Sequence, residues 1–110
     1  MLFCITAIYT PKAMEAMAKN PNTNRREEFE KLLTAAGGKL VGMYASMADG
    51  PGAIAIFDVD PAVAPSVGAV VASSDGVQHF KMTRLFTMEE VISIRKKRIE
   101  LQSSYKPPGQ

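Results

Sequence analysis

Two strand-like runs, Lys39 to Met47 and Ala53 to Val59, flank Asp49-Gly50-Pro51-Gly52, so the middle of this chain is expected to be a hairpin. A strand-like run and a helical segment precede it; a helical segment and a strand-like run follow it. One β–α–β crossover on each side of a hairpin is the split βαβ motif. Few folds satisfy that order. The expected one is a four-stranded antiparallel sheet with helices on one face, the ferredoxin-like βαββαβ arrangement of the α+β class.

Local signals agree with this order. Leu2 to Tyr9 is short, apolar and rich in β-formers. Thr10-Pro11 reads as an N-cap followed by Pro at the first helical position. Asn20-Pro21-Asn22 interrupts that helix, because Pro lacks an N–H and disfavours helix at the residue before it. A second run starts near Arg25, with Phe29, Leu32, Leu33 and Ala36 as its apolar stripe. Gly37-Gly38 stops it. Ala53 to Val59 is apolar almost throughout, which suits a central strand covered on both faces. Asp60-Pro61 reads as a second cap and Pro start, with Val63, Val67, Val70 and Val71 along one helical face. Ser73-Ser74-Asp75-Gly76 breaks that helix, and Val77 to Phe86 is the fourth strand. Thr87 and Glu90 fit a capping box that opens a last helix, running to about Leu101. Residues 1–102 are expected to form one domain and 103–110, rich in Pro and Gly, a flexible tail.

At 110 residues there is room for one domain, and a formal net charge of +2 is too small to imply nucleic acid as a partner. No stretch approaches the roughly 20 apolar residues of a membrane-spanning helix. The apolar start lacks a positively charged leader region and is read as a strand, which makes the cytoplasm the expected compartment. Cys4 is the single cysteine, so neither an intrachain disulfide nor a Cys-rich zinc site is available. Small domains are marginally stable alone. Helices that cover one sheet face leave the other bare, and a second copy is the simplest cover, so a homodimer or larger homo-oligomer is expected.

Three blocks carry a family resemblance. Tyr9-Thr10-Pro11, Ala36-Gly37-Gly38-Lys39-Leu40 with Gly42 and Tyr44, and Gly76 followed by Arg84-Leu85-Phe86-Thr87 and Glu89-Glu90 resemble the "Y-T-P-E-G", "G-G-K-L-x-G-x-Y" and "T-L-R-A-F-T-x-E-E" segments of the GYD-domain family. They cover roughly residues 3–91. The Gly-Tyr-Asp signature itself is not preserved: the hairpin reads Ala48-Asp49-Gly50-Pro51, so roles attached to that Tyr and Asp do not transfer. The resemblance implies a dimeric α/β barrel and no defined reaction. Related barrels include small monooxygenases, isomerases and haem-handling proteins, a likeness of fold only.

Strand alternation sorts the polar residues. Phe3, Ile5, Ala7, Val41, Met43, Met47, Phe80, Met82 and Phe86 are assigned to the helix side. Cys4, Thr6, Tyr44, Ser46, His79 and Lys81 then share the open side, unless a bulge inverts part of a strand. His79, the single histidine, is the acid–base candidate, and Lys81 on the same face can hold an anionic or enolate-like oxygen. Cys4, Thr6, Tyr44 and Ser46 are the ligand-binding candidates. The competing assignment makes His79, Lys81 and Tyr44 interface residues that hydrogen-bond across a dimer, and Cys4 a buried, inert thiol. Arg84 falls on the core side and is expected to pair with Asp58 or Glu90. The basic run Arg95 to Arg98 is flanked by Glu89, Glu90 and Glu100 without an aromatic platform, which reads as a solvated helix face. With one His and one Cys, the seven methionines imply no metal site, and no cofactor motif is present. Two functions remain open. One is a ligand-binding or interaction module assembled through its sheet. The other is a cofactor-independent enzyme of the dimeric α/β-barrel type, an isomerase or monooxygenase acting on a small apolar substrate.

Overall fold

The computed structural model describes residues 1–110. Its elements run β1 (Leu2–Tyr9), α1 (Pro11–Lys19), α2 (Arg25–Ala35), β2 (Lys39–Ser46), β3 (Gly52–Asp58), α3 (Ala64–Ala72), β4 (Val77–Leu85) and α4 (Met88–Gln102). The strands form one antiparallel sheet in the order β2-β3-β1-β4, the ferredoxin-like arrangement with an added C-terminal helix. No helix is long and apolar enough to cross a membrane.

The core lies between the sheet and the helices. Phe57 is fully buried near the end of β3, its ring 6.0 Å from that of Phe3 and 5.5 Å from that of Phe29. Ile5, Leu33 and Val67 complete the contact between β1, α2 and α3. Gly68 lets α3 lie close to β4, because a Cβ there would stand 2.8 Å from the Met82 sulfur. Caps set the helix starts as expected at Thr10, whose hydroxyl accepts from the Ala13 N–H, and at Thr87. Asn24 caps α2 by accepting from the Arg26 N–H.

The structure corrects several placements. Asp60 caps a preceding turn, accepting from the Ala62 N–H, and α3 itself starts only at Ala64. Val70 is then exposed, while Val63, Val67 and Val71 face inward to different depths. In β2 the register slips between Leu40 and Gly42, leaving Val41 as an extra, exposed residue. The bulge shifts alternation by one, so Leu40 and Met43 face the helices and Val41 does not. Met47 falls beyond the end of β2 and is exposed.

Helix α4 departs from the compact body. The capping box at its start is complete: Thr87 Oγ1 accepts from the Glu90 N–H, and Glu90 Oε1 accepts from the Thr87 N–H. Arg84 ties this turn to the domain, 2.9 Å from Glu90 Oε2, with its guanidinium 4.4 Å from the centre of the Phe86 ring. Beyond that turn no residue of α4 is buried. The molecule is 60 Å long with a radius of gyration of 17.9 Å, well above the ~13 Å of a compact chain of this length.

The Thr87 backbone N–H, and then the Arg84 hydrogen bond, hold the Glu90 carboxyl below its usual range. A depressed carboxylate contributes stability above its unfolded pKa, and that contribution is lost as pH falls through the folded value. Acidification below the ordinary glutamate range should therefore fray the first turn of α4. Amide chemical shifts of Thr87 and Glu90, followed against pH, should show this transition in the native chain and lack it in Glu90→Gln.

Candidate functional site

The open sheet face carries Leu2, Cys4, Thr6 and Ile8 from β1, Ile54 and Ile56 from β3, Tyr44 and Ser46 from β2, and Lys81, Thr83 and Leu85 from β4. Its apolar members are only half-buried, while the buried core is made by the residues of opposite parity on the helix side.

At the hairpin end of the face is a cavity of about 500 Å³. Thr6, Ser46, His79 and Lys81 line it, so four of the six sequence candidates come together. The apolar part of the wall is Ile8 and Ile54 with Ala7, Ala48 and Ala53. Cys4 and Tyr44 share the face without lining the cavity. Cys4 sits one pleat further along β1, and burial pushes its thiol pKa up, which suits an inert packing role better than a nucleophile. Tyr44 lies back over Gly42, where a Cβ would meet its ring edge at 3.0 Å.

Sequence reasoning missed Asp49, which the hairpin turn brings to the cavity rim beside Gly50 and Gly52. The turn signal was visible; its direction was not. At the start of β3 Gly52 opposes Ile8, and only glycine fits there, because a Cβ would collide with the Ala7 carbonyl.

His79 owes its position to a second bulge. Thr6 pairs with Lys81 and Ile8 with Gln78, so His79 and Phe80 together oppose Ala7. His79 takes up the extra residue with φ of 52°, the only positive φ outside glycine. That region costs an L-residue roughly 1–2 kcal/mol. It lets Phe80 turn into the core beside Met82 while His79 points to the cavity. Bulges often re-aim a side chain next to a binding site. His79→Gly should therefore leave stability unchanged or raise it by up to about 1 kcal/mol, relief of backbone strain offsetting the entropy of glycine. Urea unfolding tests this; a clear loss would show that the imidazole itself holds the bulge.

The cavity therefore offers an ammonium, an imidazole, a carboxylate and two hydroxyls around an apolar wall. No three His, Cys, Asp or Glu side chains converge anywhere in the fold, so the lining supplies charge and hydrogen bonds and not a metal-ligand set. Arg84, the other cation near the sheet, is committed to Glu90 and the Leu85 carbonyl on the helix side.

No curated protein matches the chain. The family model of the GYD domain matches residues 3–94, from the first strand into the start of α4, and the chain belongs to that family.

Proposed function

We propose that the chain is a homo-oligomeric small-molecule-binding protein, pairing through its open sheet face so that a second copy closes the cavity at His79 and Lys81. The observation that carries this reading is the convergence of Thr6, Ser46, His79 and Lys81 around a 500 Å³ recess on a face with no other cover. That volume lies within the range of small-ligand sites. An apolar wall with Lys81 and His79 facing the recess and the Asp49 carboxylate at its rim suits a compact aromatic or aliphatic molecule whose one anionic oxygen, a carboxylate or phenolate, is held by Lys81. The cytoplasm is the compartment that fits the absence of disulfides.

p-Nitrophenol is a direct probe, because its visible absorption reports the charge on its oxygen. Its phenolate form should bind saturably. Lys81→Met should weaken that binding about tenfold or more, the loss of one charge-assisted hydrogen bond. Absence of saturable binding at millimolar dye would overturn the ligand-binding reading.

A second reading, a cofactor-independent isomerase or monooxygenase, is favoured by one observation: the left-handed backbone of His79 beside Lys81. Strained residues of this kind cluster at reactive sites. In an enzyme, His79 would move a substrate proton while Lys81 holds the developing oxyanion. His79→Gln would then abolish turnover of a bound substrate while sparing the affinity for p-nitrophenolate.

A further inference from the structure

The helix side of the sheet tapers toward the hairpin. Three rows of side chains cross β2, β3 and β1 on that face. The first is Leu40, Phe57 and Phe3; the second is Met43, Ala55 and Ile5; the third is Ala45, Ala53 and Ala7. Aromatic rings fill the space above the first row. The third row is alanine throughout, so little rises from the sheet there to meet the helices. The result is a slot of about 60 Å³ over Ala7, Ala53 and Ala55, walled by Phe29 and Val71. It meets a wider cavity of about 320 Å³ at Tyr9, Arg25 and Val77.

Helix α1 walls the wider part. Ala13, Ala16, Met17 and Asn20 fall at i, i+3, i+4 and i+7 and line it from one helical face. That face borders space where a packed helix would border a core, and no residue of α1 is buried. Unfilled apolar space forfeits packing contacts. Water is a poor filler for the slot: nine of its ten lining residues are apolar, so a water there lacks polar partners. At ~30 Å³ per water, the slot has the size of about two, room for a short hydrocarbon end.

Charge identifies the rest of the occupant. Arg25 is the one charged residue lining either space. It stands in the first turn of α2, where the helix dipole favours acids such as Glu27 and Glu28. Its neighbour Arg26 is held by Glu30 at 2.8 Å, while Arg25 enters no ion pair. Asp75, between the lining residues Ser74 and Gly76, is itself paired with Lys12. Asn20, Thr23 and Ser74 each donate to a backbone carbonyl. The Arg25 guanidinium and the Tyr9 hydroxyl are the donors left for a ligand. We propose that this cavity is a second ligand site, on the opposite side of the sheet from His79 and Lys81, and that it takes a compact monocarboxylate. The hydrocarbon end enters the slot over the alanines, and Arg25 holds the carboxylate where slot and cavity meet. The site lies within one chain, so it is independent of any pairing of the open sheet faces.

Hexanoate titrated into the full-length chain, with backbone amide shifts followed by nuclear magnetic resonance, tests the site. Saturable shifts should appear at Ala13, Asn20, Gly76 and Val77. Arg25→Met should weaken this binding about tenfold or more, the loss of a charge-assisted contact. Hexanamide, of the same shape without the charge, should bind the native chain more weakly by a similar factor. Ala16→Phe, which fills the wider cavity from its helix wall, should abolish binding. Both substituted positions are exposed, so the fold is kept. Lys81→Met should leave the shifts at Gly76 and Val77 unchanged, so failure here and failure at the open-face recess read out separately. Shifts that do not saturate, or that are confined to Thr6, Ser46 and Lys81, would overturn the site. Equal affinities for hexanoate and hexanamide, or for the native chain and Arg25→Met, would overturn its choice of an anion and the proposal with it.

Discussion

Phe57→Ala is expected to cost about 3–5 kcal/mol, the largest stability loss available at a single position of this chain. Phe57 has no exposed surface and is the one ring that touches both Phe3 on the neighbouring strand and Phe29 on α2. Truncation removes two aromatic contacts as well as the transfer free energy of the ring. It also leaves a void that cannot collapse, because the backbone of β3 is held by ladders on both sides. Domains of this size carry about 5–15 kcal/mol in total, so the variant should sit near its unfolding threshold. Urea denaturation at fixed protein concentration measures it, with the midpoint falling by about 1–3 M. Phe57→Leu, which keeps most of the volume, should recover much of the loss. A midpoint shift below about 0.5 M would mean that the sheet and helices are held together by other contacts.

On the proposed pairing of open sheet faces, Ile56→Asp should separate the copies without unfolding them. Ile56 lies one residue from Phe57 on the same strand, yet it points to the opposite face. In a free domain an aspartate at this half-exposed site remains solvated and costs little. In a paired sheet it is an unpartnered carboxylate forced out of water, a penalty of several kcal/mol. If the open faces pair as proposed, light scattering should read a dimer for the native chain and a monomer for the variant, with far-ultraviolet circular dichroism unchanged. Cys4 pairs directly with Ile56 across β1 and β3 and supplies an internal probe. Its alkylation should be slow in the native oligomer and accelerate in the variant. Equal alkylation rates and equal masses would remove the open face as the interface.

These two neighbours show what alternation alone could and could not reveal. The apolar run Ala53 to Val59 identified β3 as a central strand, and the order of turns and caps identified the sheet around it. An uninterrupted apolar strand has no polar side to mark which residues meet helices and which await a partner. Phe57 and Ile56 look alike in the sequence and differ only through the register with β1 and β2.

The capping box at Thr87 and the Arg84–Glu90 pair were also legible, because both are set by residues within six positions of each other. The two bulges were not. An extra residue at Val41 or His79 is accommodated by pairing across strands, which no local pattern records. That is why Val41 was assigned to the core and is exposed instead, while Met47 is exposed because β2 ends one residue before it. It is also why the left-handed backbone of His79 came only from the tertiary structure.

The sequence by itself determined the element order, the ferredoxin-like class and the family, since these rest on hydrophobic period, proline and glycine placement and short-range caps. The tertiary structure alone gathered Thr6, Ser46, Asp49, His79 and Lys81 around one recess and sent α4 away from the body. Both outcomes depend on contacts between residues tens of positions apart, where one shifted register moves every side chain to the other face.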